Sequence, residues 1–233
     1  MKIAILQCDD VLDNLQNEFV SYSFMIQRMF NAIDDTFEID IFNCQLNEYP
    51  DDIDAHDFYI TTGSRAGAYE DIDWIQQLIK FIQLLDQHQK KLIGICFGHQ
   101  LIAMAKNKSV KPSPKGWGVG IAINRITATP DWMHETKSEL NIIVSHKDQV
   151  SSLPDEAIVI AESDFCPYFV VQWNNNLLSI QGHPEWNTDY SKALMNERRA
   201  IIPADRIEAG INSLSLKPDN TLFTQWVLDF VKH

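Results

Sequence analysis

The chain has 233 residues, of which 45% are hydrophobic, so it can bury a substantial core as one domain at the large end of the usual size range. Its formal net charge is -13 at pH 7, which would repel a nucleic-acid backbone or an anionic membrane surface. The basic pairs Lys90-Lys91 and Arg198-Arg199 lie in mixed surroundings, and we interpret them as solvated surface charge. We therefore expect no nucleic-acid partner and no membrane partner.

The termini and the cysteines indicate a reduced cellular compartment. The first apolar run, residues 2–6, is shorter than the roughly 7–15 residues of a signal-peptide core, and no stretch approaches the roughly 20 apolar residues of a membrane span. Four cysteines are scattered along the chain without a Cys-x-x-Cys pair or a histidine at zinc-finger spacing: Cys8, Cys44, Cys96 and Cys166. We expect a cytoplasmic protein with no metal and no cofactor. The sequence also lacks a Gly-x-x-x-x-Gly-Lys phosphate loop, so we expect no use of ATP.

The first half of the sequence alternates strand-like and helix-like segments. Short apolar or β-branched runs predict strands at residues 2–6, 37–43, 56–64 and 91–94. The spacing of apolar residues predicts helices around residues 24–30 and at residues 71–87 and 97–106. This β-α-β rhythm predicts a parallel sheet with helices on both faces.

The second half is richer in strand-like runs. They lie within residues 116–130, 140–148, 157–163 and 167–185. Residues 174–176 are typical of a hairpin turn between strands at 169–173 and 177–181, and a helix is predicted at about 222–232. The predicted fold class is therefore α/β, with a central mostly parallel sheet and an antiparallel extension in the second half. Residues 196–220 carry no pattern that we can interpret.

Cys96 stands between two glycines in "GICFG", where a predicted strand ends and a helix begins. This turn would be a nucleophile elbow, because glycines permit the tight backbone and the following helix N-terminus favours a thiolate. A buried structural cysteine is the alternative for Cys96 taken alone.

A cysteine nucleophile needs an imidazole that a third group orients. In "QGHPEW", His183 and Glu185 are two residues apart at the end of an extended run, so their side chains lean to one face and the carboxylate can hold the ring. His99 faces along the helix after Cys96, and His146 lies in a separate loop. The remaining histidines are interpreted as surface residues: His56, His88, His134 and His233.

Attack by a thiolate on an acyl carbon also needs donors for the oxyanion, which backbone N–H groups usually supply. The glycine turn "TTGSRAG" offers such a donor near Gly63 and Ser64, and the N–H of Phe97, directly after the predicted nucleophile, offers another.

These segments, in this order, resemble the class I glutamine amidotransferase family. "GICFGHQ" matches the family's nucleophile motif, and "GHPE" matches its His-Pro-Glu signature 87 residues downstream (183 - 96). "SHKDQV" resembles the family's substrate loop, and "TGSRAGAYEDIDWI" resembles the glycine turn and helix start of stand-alone members. The resemblance implies a flavodoxin-like amidotransferase fold over residues 1–233 as a single domain.

The resemblance also implies roles for individual residues. Cys96 attacks the side-chain amide of glutamine, His183 moves the proton, and Glu185 orients His183. The oxyanion lies between backbone N–H groups of Phe97 and the Gly63-Ser64 turn. The residues that bind the substrate are Gln100, Ser145, His146, Lys147 and Asp148. Ser64 and Lys147 stand where many family members have glycine.

Two enzymatic activities and one non-enzymatic role follow from these residues. The first is a glutaminase that releases ammonia for an unknown acceptor or a separate synthetase subunit. The second keeps the triad but hydrolyses γ-glutamyl peptides or conjugates, or transfers the γ-glutamyl group. The third is a regulatory or partner-binding module without catalysis, which an intact triad argues against. In the first two the substrate is a small molecule, L-glutamine or a γ-glutamyl compound.

Overall fold

The computed structural model describes all residues from 1 to 233. The strands are, in chain order, β1 (Lys2–Gln7), β2 (Glu38–Asn43), β3 (Phe58–Thr61), β4 (Lys91–Ile95), β5 (Val110–Pro112), β6 (Gly118–Ile126), β7 (Glu139–His146), β8 (Asp148–Val150), β9 (Ile158–Glu162), β10 (Val170–Gln172) and β11 (Leu177–Ile180). The helices are α1 (Gln16–Phe19), α2 (Tyr22–Asn31), α3 (Asp73–Gln87), α4 (Phe97–Ala105), α5 (Thr188–Glu197), α6 (Ala204–Ser213) and α7 (Asn220–Lys232).

Nine strands form one sheet in the order β2-β1-β3-β4-β11-β10-β9-β6-β7. The pairings from β2 to β11 are parallel, and those from β11 to β7 are antiparallel. β5 and β8 pair separately as a short antiparallel ribbon. The predicted α/β fold with a parallel sheet and an antiparallel extension is confirmed, including the hairpin of β10 and β11.

Helices cover both faces of the parallel half. Side chains of consecutive strand residues point to opposite faces, so Ile3 and Ile5 of β1 pack with α2 and α7, whereas Ala4 and Leu6 pack with α3 and α4. Burial on both faces explains why β1 is an almost continuous apolar run. No helix is long and apolar enough to cross a membrane.

The segment that the sequence left without an interpretation contains the end of α5 and the whole of α6. α5 ends at Glu197, and α6 packs across β6, where the backbones come close together. A Cβ on Gly120 would lie 2.4 Å from the carbonyl oxygen of Gly210, and Gly120 has a positive φ of 83°. This close contact requires glycine at residue 120. The contact holds α6 against β6, next to the edge strand β7.

Candidate active site

Cys96 lies in a sharp turn between β4 and α4. Its φ of 50° and ψ of -93° are a strained combination for a residue with a side chain. The flanking glycines are required by close packing, because a Cβ on Gly94 would lie 2.8 Å from the Gly98 carbonyl oxygen, and one on Gly98 would lie 1.7 Å from Thr61 Oγ1. The backbone therefore has the elbow geometry that the Gly-x-Cys-x-Gly pattern predicts.

His183 follows β11, the strand next to β4 in the sheet. Its Nδ1 lies 2.8 Å from Glu185 Oε1, and both side chains are buried. The indole of Trp186 stacks on the imidazole, with ring centroids 3.6 Å apart and planes 8° from parallel. The carboxylate and the indole thus hold the ring in one orientation.

The charge state of His183 follows from its neighbours. Burial lowers the pKa of His183, but the charges of Cys96 and Glu185 and their hydrogen bonds outweigh burial and raise the pKa to about 9. His183 is therefore cationic at neutral pH. A cationic imidazole in this position can act as a proton donor.

Three backbone N–H groups near Cys96 have no acceptor within the chain. They belong to Gly63, Ser64 and Phe97, the three positions predicted to stabilise an oxyanion. The Gly63 position closely approaches the site, because a Cβ there would lie 2.7 Å from His183 Cε1 and 3.7 Å from Cys96 Cβ. Glycine at residue 63 leaves room for the imidazole, and the free N–H groups can bind a developing negative charge.

A cavity of about 420 Å³ opens beside Cys96. All five residues predicted to bind the substrate line it: Gln100, Ser145, His146, Lys147 and Asp148. The amide of Gln100 donates a hydrogen bond to the carbonyl oxygen of Asp148 at 3.0 Å, and the side chain of Asp148 accepts one from the Tyr69 hydroxyl at 3.1 Å. These contacts tie α4, the predicted substrate loop and the turn after β3 into one wall.

Sequence reasoning did not single out Gln181, although it lies within the quoted "QGHPEW" segment. Its Nε2 donates to Cys96 Sγ at 3.5 Å, and its Oε1 accepts from Gln100 Nε2 at 3.2 Å. Gln181 is two residues before His183 and directly follows β11, and this closeness to the candidate base could have indicated that it faces the same site.

Two arginines also line the cavity. Arg198, interpreted from the sequence as surface charge, lines the cavity, and its Nη1 donates to Ser145 Oγ at 2.7 Å. Arg199 is exposed and bonds to Asn196, as expected for a surface residue. Arg65 lines the cavity too, and it holds Asp9 with Nε and Nη2.

Two histidines lie in other places than the sequence predicted. His56 is buried rather than exposed, because its Nε2 pairs with Asp40 at 2.9 Å and its ring packs against Phe42 and Tyr59. His146 is the last residue of β7 rather than part of a separate loop. Burial is the main cause that lowers the pKa of His146 to about 4, so this residue is a neutral part of the cavity wall.

No group of three or more His, Cys, Asp or Glu side chains is arranged to hold a metal ion.

Comparison with known proteins identifies the family. The family model for "Glutamine amidotransferase class-I" matches residues 15–201. The chain belongs to the class I glutamine amidotransferase family. A crystal structure of a glutamine amidotransferase from Thermotoga maritima superimposes with a TM-score of 0.77 at 17% sequence identity, over 99% of both chains, and it shows the same fold.

Curated relatives carry a more specific name. Gamma-glutamyl peptidase 5 of Arabidopsis thaliana is 35% identical over 174 residues, which are 69% of this chain and 68% of the relative. Gamma-glutamyl peptidase 3 of the same plant is 32% identical over 191 residues, 76% of each chain.

Proposed function

We propose that this class I amidotransferase hydrolyses γ-glutamyl peptides or related γ-glutamyl conjugates through a thioester on Cys96. The observation that carries the proposal is the arrangement of Cys96, His183 and Glu185 beside a cavity of about 420 Å³. Cavities of roughly 300–1,000 Å³ accept drug-sized ligands, so this one has room for a leaving group larger than ammonia. The 35% identity to a gamma-glutamyl peptidase favours this class of substrate.

In the acylation half, the Cys96 thiolate attacks the γ-carbonyl carbon and forms a C–S bond. The carbonyl oxygen takes the negative charge, and the free N–H groups of Phe97 and of the Gly63-Ser64 turn are placed to bind it. As the C–N bond breaks, cationic His183 gives its proton to the departing nitrogen. The products of this half are a γ-glutamyl thioester and a free amine.

In the deacylation half, neutral His183 takes a proton from water while the water oxygen attacks the thioester carbon. The C–S bond breaks, glutamate leaves, and the thiolate and the imidazolium are restored. Glu185 keeps the imidazole oriented in both halves. If an amine replaces water, the same steps transfer the γ-glutamyl group. The triad residues come from one sheet, so the 233 residues would act as a single catalytic domain.

Hydrolysis of glutamine itself is the second candidate, supported by the family model that matches residues 15–201. The same steps then release ammonia, which a synthetase subunit on another chain or an unknown acceptor would consume. The two candidates differ only in the leaving group, so substrate competition separates them.

The test measures glutamate release by the purified protein from γ-glutamylalanine and from L-glutamine. We expect a higher kcat/KM for the dipeptide, no turnover in Cys96→Ala, and retained turnover in Cys44→Ala, because Cys44 is buried in the core. Rapid quenching followed by mass spectrometry should detect a γ-glutamyl adduct on the peptide that contains Cys96.

A higher kcat/KM for L-glutamine than for γ-glutamyl dipeptides would instead establish the glutaminase. Equal behaviour of the Cys96→Ala variant and the wild type with both substrates would refute both activities and favour a module without catalysis.

A further inference from the structure

The cavity beside Cys96 contains one arginine that forms no ion pair with a carboxylate of the chain. Arg198 follows α5, and its guanidinium lies 5.7 Å from the centroid of the Trp117 ring. It takes part in none of the ion pairs of the structure. Arg65, the other arginine of the cavity, is bonded to both carboxylate oxygens of Asp9. Of these two arginines, only Arg198 has its charge available for a bound anion.

Arg198 is also held in place with most of its donors unused. A guanidinium has five N–H donors, and the side chain of Arg198 uses one of them, to Ser145 Oγ at 2.7 Å. The bond to Ser145 and the Trp117 ring restrict the side chain, so less conformational entropy is lost when an anion binds. Its planar fork matches a carboxylate with two parallel hydrogen bonds. Lys147 also lines the cavity, but it is exposed and its ammonium has no such restraint.

Arg198 lies close to the segment that carries His183. Cys96 follows β4, which pairs with β11, and the backbone N–H of His183 donates to the carbonyl oxygen of Ile143 in β7 at 2.8 Å. Ser145, which holds Arg198, is two residues further along β7. Because His183 protonates the departing nitrogen in the proposed reaction, the leaving group extends from the thiolate toward Arg198.

The cavity also carries acidic groups. Glu70 and Asp148 both line it, and Tyr69 connects them, because its hydroxyl donates to Asp148 and it directly precedes Glu70. Glu70 lies in the segment after β3, and β3 and β11 flank β4 on opposite sides. A carboxylate on the β3 side suits the α-ammonium group of a γ-glutamyl substrate, which leaves Arg198 for a negative group on the amine that departs.

We propose that Arg198 is a specificity-determining residue that binds the carboxylate of the amino acid or peptide released from a γ-glutamyl substrate. The inference rests on the proposed hydrolysis of γ-glutamyl compounds and deepens it. The preferred substrates are γ-glutamyl amino acids and peptides, whose leaving amine carries a carboxylate. γ-Glutamyl amines, whose leaving group is uncharged apart from its nitrogen, are poorer substrates.

The test uses two substrates that differ only in this carboxylate, γ-glutamylalanine and γ-glutamylethylamide. In Arg198→Gln we expect kcat/KM for γ-glutamylalanine to fall about 10- to 100-fold, the loss typical of a hydrogen bond to a charged group. The value for γ-glutamylethylamide should stay unchanged, which also shows that the variant folds. Arg198→Lys should recover part of the loss, because it restores the charge without the fork.

Arg199→Gln is the matched control, since it removes the same charge from the adjacent exposed residue and should alter neither substrate. An equal loss on both substrates in Arg198→Gln would place the guanidinium on the glutamyl half or in a structural role and overturn the inference. No loss on either substrate would overturn it as well. If the wild type hydrolyses glutamine but neither γ-glutamyl compound, the proposed function itself fails, and the inference with it.

Discussion

Replacing Glu185 by glutamine tests whether the carboxylate keeps His183 cationic. Burial lowers the pKa of His183, but Cys96 and Glu185 raise it to about 9. Glutamine retains an oxygen that can accept the hydrogen bond from Nδ1, now 2.8 Å long, and removes only the charge. An opposite charge at about 4 Å contributes about 4 kcal/mol at an effective dielectric constant of about 20, or about 3 pKa units.

Measured shifts for such pairs are about 1–3 units, so we expect the pKa of His183 to fall from about 9 to about 6–8 in Glu185→Gln. In the proposed acylation cationic His183 is the proton donor, so kcat/KM should decline as pH rises through this pKa. The decline should therefore begin about 1–3 pH units lower in the variant than in the wild type. The pH profile of kcat/KM for γ-glutamylalanine reports this shift.

Glu208→Gln is the control, because Glu208 is exposed on α6 and its replacement changes the net charge equally. Its profile should coincide with that of the wild type. If the alkaline decline of Glu185→Gln coincides with the wild type as well, the carboxylate does not set the charge of His183, and the assigned role of Glu185 is wrong.

Two further predictions concern stability. Gly98→Ala should lower the free energy of unfolding in urea by about 1–3 kcal/mol, because the new Cβ would lie 1.7 Å from Thr61 Oγ1. The additional change Thr61→Ala should recover part of this loss, and an unchanged stability of Gly98→Ala would contradict the close packing. Burial is the main cause that lowers the pKa of His99 to about 3, so the unfolded chain binds a proton there below about pH 6.5 while the folded chain does not. As pH falls from about 6.5 to 3, the free energy of unfolding should therefore fall by up to about 1.4 kcal/mol per pH unit because of His99. In His99→Gln, the plot of this free energy against pH should be less steep by the same amount.

The parallel half of the fold was predictable because its signals are local. β1 is buried on both faces and reads as an apolar run, and α3 shows one apolar face at helical spacing. The candidate nucleophile was equally local, since the glycines on both sides of Cys96 are those that its turn requires. Glu185 was paired with His183 on the expectation of an extended segment; the pairing is correct, but the structure forms it in a turn after β11.

Other features depend on contacts between distant segments, which a local pattern does not contain. Arg198 and Arg199 are adjacent, so their local sequence does not distinguish them. At the end of α5, however, Arg198 points to Ser145 and Arg199 is exposed to solvent. His56 follows a run of polar residues and is nevertheless buried, because Asp40 of β2 reaches it across the sheet.

By itself, the sequence determined the βαβ architecture of the first half and identified the residues proposed for the triad, because their motifs lie within a few neighbouring positions. Only the tertiary structure decided what surrounds them. The order of the strands brings Cys96 and His183 together and places Gln181 against the thiol, and the position of α5 brings Arg198 to the cavity wall. The physical reason is that these positions depend on the pairing of strands far apart in the chain and on the packing of α5 and α6.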